Sequence, residues 1–282
     1  MKKKTDLSTY LLLLPGAGFI FFFLSAAVVM TVLQSLGFFS ITQESGFSLE
    51  HWKNFFDQQV VDSLFFSLKI GFGSAFGTLL LSYPLALFMR KRFFGRKTLS
   101  SILKIPLFIP ALVAAFLIIN VIAYHGIVNE MLVGLGIIKE PLRMLRDKWG
   151  INVFIIQIWK NLPFQLLIIA SALETIRTDI EDAAKNLGAN SFAVIRYIII
   201  PLSMPGILVA VILVFIMTFG DYAITKSAGP IYPVSLSVRM HTTAVMFQEW
   251  NRSACIGVLI IVVAFVFVAL YSKVAQIIQR TQ

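Results

Sequence analysis

Six stretches of this chain are each long and apolar enough to cross a membrane, which leaves very few folds open to it. Their limits are about 10–36, 64–89, 102–124, 151–173, 205–226 and 254–276. A helix rising about 1.5 Å per residue needs roughly 20 residues to cross about 30 Å of hydrocarbon. Backbone polar groups find no water there, so only helices or a closed barrel can cross. Barrel strands would alternate over about ten residues, and these runs do not alternate. The sequence therefore predicts an all-α membrane protein with six transmembrane helices, organised as a single domain over 1–282. Composition agrees: 58% of the residues are hydrophobic and 13% charged, against about 25% charged in a soluble domain.

Lysine and arginine give the direction of crossing. The N-terminus, 90–104, 174–204 and the C-terminus carry fourteen of them, including Lys2, Lys3, Lys4, Arg92 and Arg280. The connections 37–63, 125–150 and 226–253 carry eight, beside eight acids. The densest cluster, "RKRFFGRK", lies in a short loop, where the bias counts most. Both termini and the 174–204 segment are thus expected in the cytoplasm. Because the charges flank apolar runs, the net charge of +10 follows the membrane pattern and nucleic acid is not expected as a partner. The first run exceeds the 7–15 residues of a cleavable signal core, so it reads as an uncleaved span. The segments 47–57 and 129–137 read as short outer interfacial helices, with Trp52, Trp149 and Trp250 as interface anchors. Cys255 is the only cysteine, which excludes an internal disulfide, and reads as a small core residue.

The segment between spans four and five stands out in so greasy a chain. Thr178-x-x-Glu181 has the form of a capping box. Asp179, Glu181 and Asp182 suit the positive end of a helix. Ile180, Ala183, Ala184 and Leu187 fall at i, i+3, i+4 and i+7, one narrow apolar face. Gly188 suits the left-handed position that ends a helix. Ser191 is placed to cap a second helix, which Pro201 ends, and Pro205 to open span five. A helix resting on the membrane is one reading. The acidic first turn and narrow apolar face favour a docking helix for a cytoplasmic partner, since acids are repelled by an anionic leaflet.

These residues carry a resemblance. Asp182-Ala183-Ala184-x3-Gly188-x9-Ile198-x-Ile200-Pro201 resembles the EAA loop of ABC importer permeases, whose pattern is Glu-Ala-Ala, three residues, Gly, nine residues, Ile, one residue, Leu-Pro. Asp182 replaces the Glu and Ile200 the Leu. The shorter reach of Asp182 puts a family salt bridge there in question, and Glu181 stands beside it to compensate. The resemblance extends over most of the chain, including "WKNLPF" (159–164). It implies that 174–204 holds a coupling helix seated in a groove of an ATP-hydrolysing subunit, with Glu181, Asp182, Ala183, Ala184, Leu187, Gly188 and Pro201 as the coupling residues. It further implies a bacterial inner-membrane complex: two ATP-binding cassette subunits, a second permease subunit (a different chain is favoured over an identical one) and an extracytoplasmic solute-binding protein. ATP and magnesium would sit on the ATPase, and no cofactor on this chain.

The chain offers no catalytic constellation of its own. "GRKT" (95–98) lacks the first glycine and preceding strand of a phosphate-binding loop. His51, His125 and His241 scatter without metal-ligand spacing. Lys104 of Ser101-x-x-Lys104 sits at a membrane boundary, where a lysine snorkels.

Ionisable residues inside a span are costly and by default candidates for function. Asp221 falls in the outer half of span five. Lys160 and Asn161 fall mid-way along span four, with Pro163 expected to break the helix just after. Gln157 shares their side, and Asn120 lies near the outer end of span three. With Tyr222, these are the candidate pathway residues. "GDYAITKSAGP" (220–230) resembles the corresponding stretch of polyamine-type permeases, and Leu187 stands where sugar permeases usually have Asp. A polyamine-like solute is the expectation, with a sugar, phosphonate or iron chelate as alternatives. Two readings of Asp221 stand: a carboxylate holding a passing amine, or one capping local backbone or pairing with a lysine such as Lys160. Lys226 nearby argues against a cationic solute. An ion-gradient-driven secondary transporter, with sites at broken helices, is the rival class, and it leaves the EAA-like segment unexplained.

Overall fold

Helices α1 (Leu7–Ser35), α2 (Gln58–Arg90), α3 (Arg96–Phe108) and α4 (Ala111–Ile122) open the chain. They are followed by α5 (Ile127–Gly134), α6 (Ile151–Glu174), α7 (Thr178–Asn186) and α8 (Ser191–Val194). A π turn at Ile195–Ile199 leads into α9 (Ile200–Phe219), and α10 (Ala223–Ala228), α11 (Leu236–Val245) and α12 (Trp250–Thr281) complete the order. This computed structural model describes residues 7–39, 45–53, 55–91 and 93–281. Lys2, Lys3, Lys4, Asn54 and Arg92 lie outside the described residues, as does the side chain of Arg280. Among the described residues there is no strand, and six helical stretches are long and apolar enough to cross a membrane.

Span four starts and ends where the apolar pattern puts it, to within a residue. Several expectations fail elsewhere. Span three is not one helix: Ile109 and Pro110 are extended (φ −90°, ψ 122° and φ −56°, ψ 145°) and separate α3 from α4, because the ring of Pro110 drives the residue before it out of helical conformation. Pro163 does not break α6, which runs on to Glu174. A proline is tolerated in a membrane helix when neighbouring helices surround it, and Pro163 is buried. Pro201 does not end a helix, nor does Pro205 begin one: helix continues from Ser191 to Phe219. The π turn widens the coil just ahead of Pro201, where the ring would otherwise meet the carbonyl four residues back. Span five also stops early, with Gly220 as its C-cap, which leaves Asp221 beyond the helix. The expected outer helix at 47–57 is a single 3-10 turn, Glu50–Trp52; near 129–137 there is a helix, α5, which together with α4 makes up the candidate span Ala111–Gly134.

The chain falls into two compact units. One comprises residues 1–60 and 239–262. In it Asn251 Nδ2 donates to the Gln34 carbonyl at 2.8 Å, and Cys255, fully buried, sits with Sγ 3.6 Å from the Ser35 carbonyl. Arg252 pairs with Asp57 at 2.6 Å, and Asp57 Oδ1 accepts from the Val60 N–H at 2.7 Å, capping α2.

The other unit comprises 61–238 and 263–282, and α6 is its hub, packed against α3, α4, α9 and α10. Leu166, Ile169, Leu173 and Ile176 form one buried cluster with Ala86, Val194, Ile199 and Ala210. Val153 and Ile156 form another with Phe66, Ile70, Ala115, Ile224 and Ala228. Lipid is as apolar as leucine, so close packing rather than hydrophobicity holds membrane helices together. Gly206 of α9 shows how close: a Cβ there would lie 2.2 Å from the Ala172 side chain of α6. Polar side chains turn inward as well: Ser74, Thr78 and Ser82 on α2, and Gln157, Asn161 and Gln165 on α6, are all buried.

Candidate functional site

α7 is built as a short, sharply ended rod. Its C-terminus is closed by two bonds, from the Ala189 N–H to the Ala184 carbonyl at 3.0 Å and from the Gly188 N–H to the Lys185 carbonyl at 2.9 Å. This pattern requires a left-handed residue at the exit, and Gly188 supplies it with φ +89°. Its N-terminus differs from the expected capping box. Arg177 occupies the cap position, Thr178 is already helical, and no side chain caps the end. Glu181 cannot reach back because it is engaged elsewhere: its carboxylate pairs with the guanidinium of Arg90, the last residue of α2. The same guanidinium donates from Nη2 to the Ile176 carbonyl at 2.6 Å. Ser191 is not the cap of the next helix either. Asn190 is, accepting from the Ala193 N–H at 2.8 Å.

The apolar stripe of α7 divides in two. Ala184 packs on the core cluster around Leu173 and Val194. Ile180 is 42% exposed and Leu187 90%, and Ala183 is exposed with them. Asp182 is exposed and pairs with Lys185 at 3.3 Å. Glu181, not Asp182, therefore makes the pair that ties this segment to α2. Pro201 is exposed near the start of α9. In the sequence Arg90 is only one charge in a basic cluster; its partners lie 91 and 86 residues away, beyond the reach of any local pattern.

The candidate pathway residues do not gather in one place. Asp221 Oδ2 accepts from the N–H groups of Ile224 at 2.9 Å and Thr225 at 3.2 Å, so it caps α10. Its carbonyl accepts from the hydroxyls of Thr225 at 2.6 Å and Ser237 at 2.7 Å. Ser235 bonds both hydroxyls at 3.0 Å, a buried hydroxyl cluster that no spacing in the sequence signals. Gln157 approaches the Asp221 carboxylate from α6, and Asn161 donates to the Gln157 side chain at 3.0 Å. Tyr222 is half-buried, its carbonyl accepting from the Lys226 N–H at 2.8 Å. Lys160 is apart from this group and is not paired with Asp221. It donates to the carbonyls of Pro106, at 2.6 Å, and Ile109, at the α3–α4 break; the Pro106 carbonyl also accepts the Ile109 N–H at 3.4 Å. Asn120 is exposed and bonds its own helix at the Phe116 carbonyl, 2.8 Å.

Comparison with known proteins adds to this geometry. Residues 70–280 match the family described as binding-protein-dependent transport system inner membrane component. The chain is 25% identical to the spermidine/putrescine transport system permease protein PotB of Haemophilus influenzae, over 83% of this chain and 81% of that protein. It is 24% identical to the molybdenum transport system permease protein ModB of the same organism, over 69% of this chain and 87% of that one. Among solved structures, a chain of the bacterial alginate ABC transporter, in complex with alginate pentasaccharide-bound periplasmic protein, superposes with a TM-score of 0.74. It has 22% identity, and the match covers 98% of this chain and 96% of that one.

Proposed function

The chain belongs to the family of binding-protein-dependent transport system inner membrane components, and from that premise we propose that it forms half of the translocation path of an ATP-driven importer for a polyamine-like solute. The observation that carries this reading is α7: a rod fixed at both ends, anchored through Glu181 and Ala184, with Ile180, Ala183 and Leu187 left exposed. In this reading that face docks on an ATP-binding subunit on the cytoplasmic side, where both termini also lie. Two such subunits close on ATP and draw the docked rods of two permease chains together. α6 and α9, which flank the rod in sequence, then rock between inward-open and outward-open arrangements. ATP and magnesium act on the partner, and an extracytoplasmic binding protein delivers the solute.

The polyamine assignment draws on the similarity to PotB and on the 220–230 stretch. The molybdenum relative and the capping duty of Asp221 favour a second reading, in which another small solute is carried and Asp221 is structural. Uptake by proteoliposomes holding this chain, its partner permease and the ATPase separates them: the first reading predicts ATP-dependent, binding-protein-dependent accumulation of spermidine that excess putrescine inhibits. Uptake driven by a proton or sodium gradient without ATP would contradict the importer reading itself. For Asp221→Asn, the amide oxygen can still accept from Ile224 and Thr225, so the complex assembles normally. The polyamine reading predicts a KM for spermidine raised several-fold, and an unchanged KM removes Asp221 from the path.

A further inference from the structure

By chain connectivity alone, α7 is joined to α6 through 175–177 and to α8 through 187–190. Arg90 adds a third attachment. Its guanidinium holds Glu181 in the second half of the first turn of α7 and the Ile176 carbonyl in the bend that leads into it. Both charged side chains are 17% exposed. The other ion pairs at this segment are of a different kind: Arg177–Asp179 and Lys185–Asp182 are at least half exposed and join residues two or three apart, so they connect α7 to no other element. A shielded pair is screened less by salt than an exposed one. A planar guanidinium fork can hold two acceptors at fixed angles, which an ammonium point charge cannot.

We propose that Arg90 is a positioning residue of the transport cycle, tying α7 to the end of α2 so that any displacement of α7 is passed to α2 as well as to α6 and α9. Glu181 and the Ile176 carbonyl are the two points of grip. The inference rests on the reading of α7 as the docking rod. Without the tie, the rod moves with its partner while α2 lags, and ATP is hydrolysed without proportionate transport.

The test uses the complete importer in proteoliposomes with its binding protein, and reads solute transported per ATP hydrolysed. Arg90→Gln is expected to lower that ratio roughly tenfold, within the usual range of coupling between sites, while the ATPase still co-purifies and the Tm of the complex holds. Arg90→Lys keeps one contact and gives an intermediate ratio. Arg90→Glu combined with Glu181→Arg restores opposite charges and recovers part of the ratio lost in Arg90→Glu alone. A wild-type ratio in Arg90→Gln overturns the proposal. So does a fall that appears only together with loss of the ATPase or of Tm, since Arg90 is then a fold residue only. Failure of the underlying reading looks different: the wild-type complex itself shows no ATP-dependent uptake.

Discussion

Gly188 carries a cost that can be assigned to the backbone alone. A Cβ built there meets no atom within 4 Å, so a larger side chain creates no clash. What it meets is φ +89°, a left-handed conformation that costs an L-residue about 1–2 kcal/mol and a β-branched one more. Gly188→Val is therefore expected to loosen the exit of α7 and reduce uptake per assembled complex, whereas Gly188→Asn, tolerated at this position in helix ends, keeps most of it. Equal uptake by the two variants at matched expression would show that the sharp exit does not matter. Such a glycine is legible in a sequence because one residue type answers one backbone need. Asp221 is the opposite case. A carboxylate near the end of a membrane span reads equally as ligand or cap, and only the N–H groups of Ile224 and Thr225 on its Oδ2 reveal that it caps.

At the scale of elements, α8 and the π turn depend on Asn190. Its side chain satisfies the Ala193 N–H, and loss of a helix cap costs about 1 kcal/mol. Asn190→Ala should lower the Tm of the purified chain by a few degrees, and Asn190→Ser should restore it; a Tm unmoved by the alanine would mean water replaces the cap at no cost. Spans are legible because an apolar run of about 20 residues has one structural answer. Their interruptions are not. Apolar residues continue across Ile109 and Pro110, so hydropathy alone joins α3 to α4. Residues 191–200 are mostly apolar as well, and only the prolines at 201 and 205, taken as an end and a start, hide the fact that span five begins there. Prolines 163, 201 and 205 mislead for one reason: in a packed membrane bundle a missing N–H does not by itself stop a helix. The capping box fails through competition, since Arg90 takes the carboxylate that Thr178-x-x-Glu181 would have used.

Across the whole molecule, the central claim is that Ile180 and Ala183 on α7, with Leu187 at its C-cap, meet an ATP-binding subunit in the cytoplasm. Leu187 is the best reporter, being 90% exposed and contributing little to the core, so replacing it leaves the fold intact. Cys255 is the sole native cysteine, and Cys255→Ser gives a background free of thiols. The most direct measurement is thiol cross-linking of Leu187→Cys, in that background, to the co-expressed ATP-binding subunit in native membranes. The account predicts an adduct with that subunit, formed only when the reagent reaches the cytoplasmic face. Labelling of the Leu187→Cys variant by an impermeant reagent from the outside, or no adduct in a complex that transports normally, would contradict it.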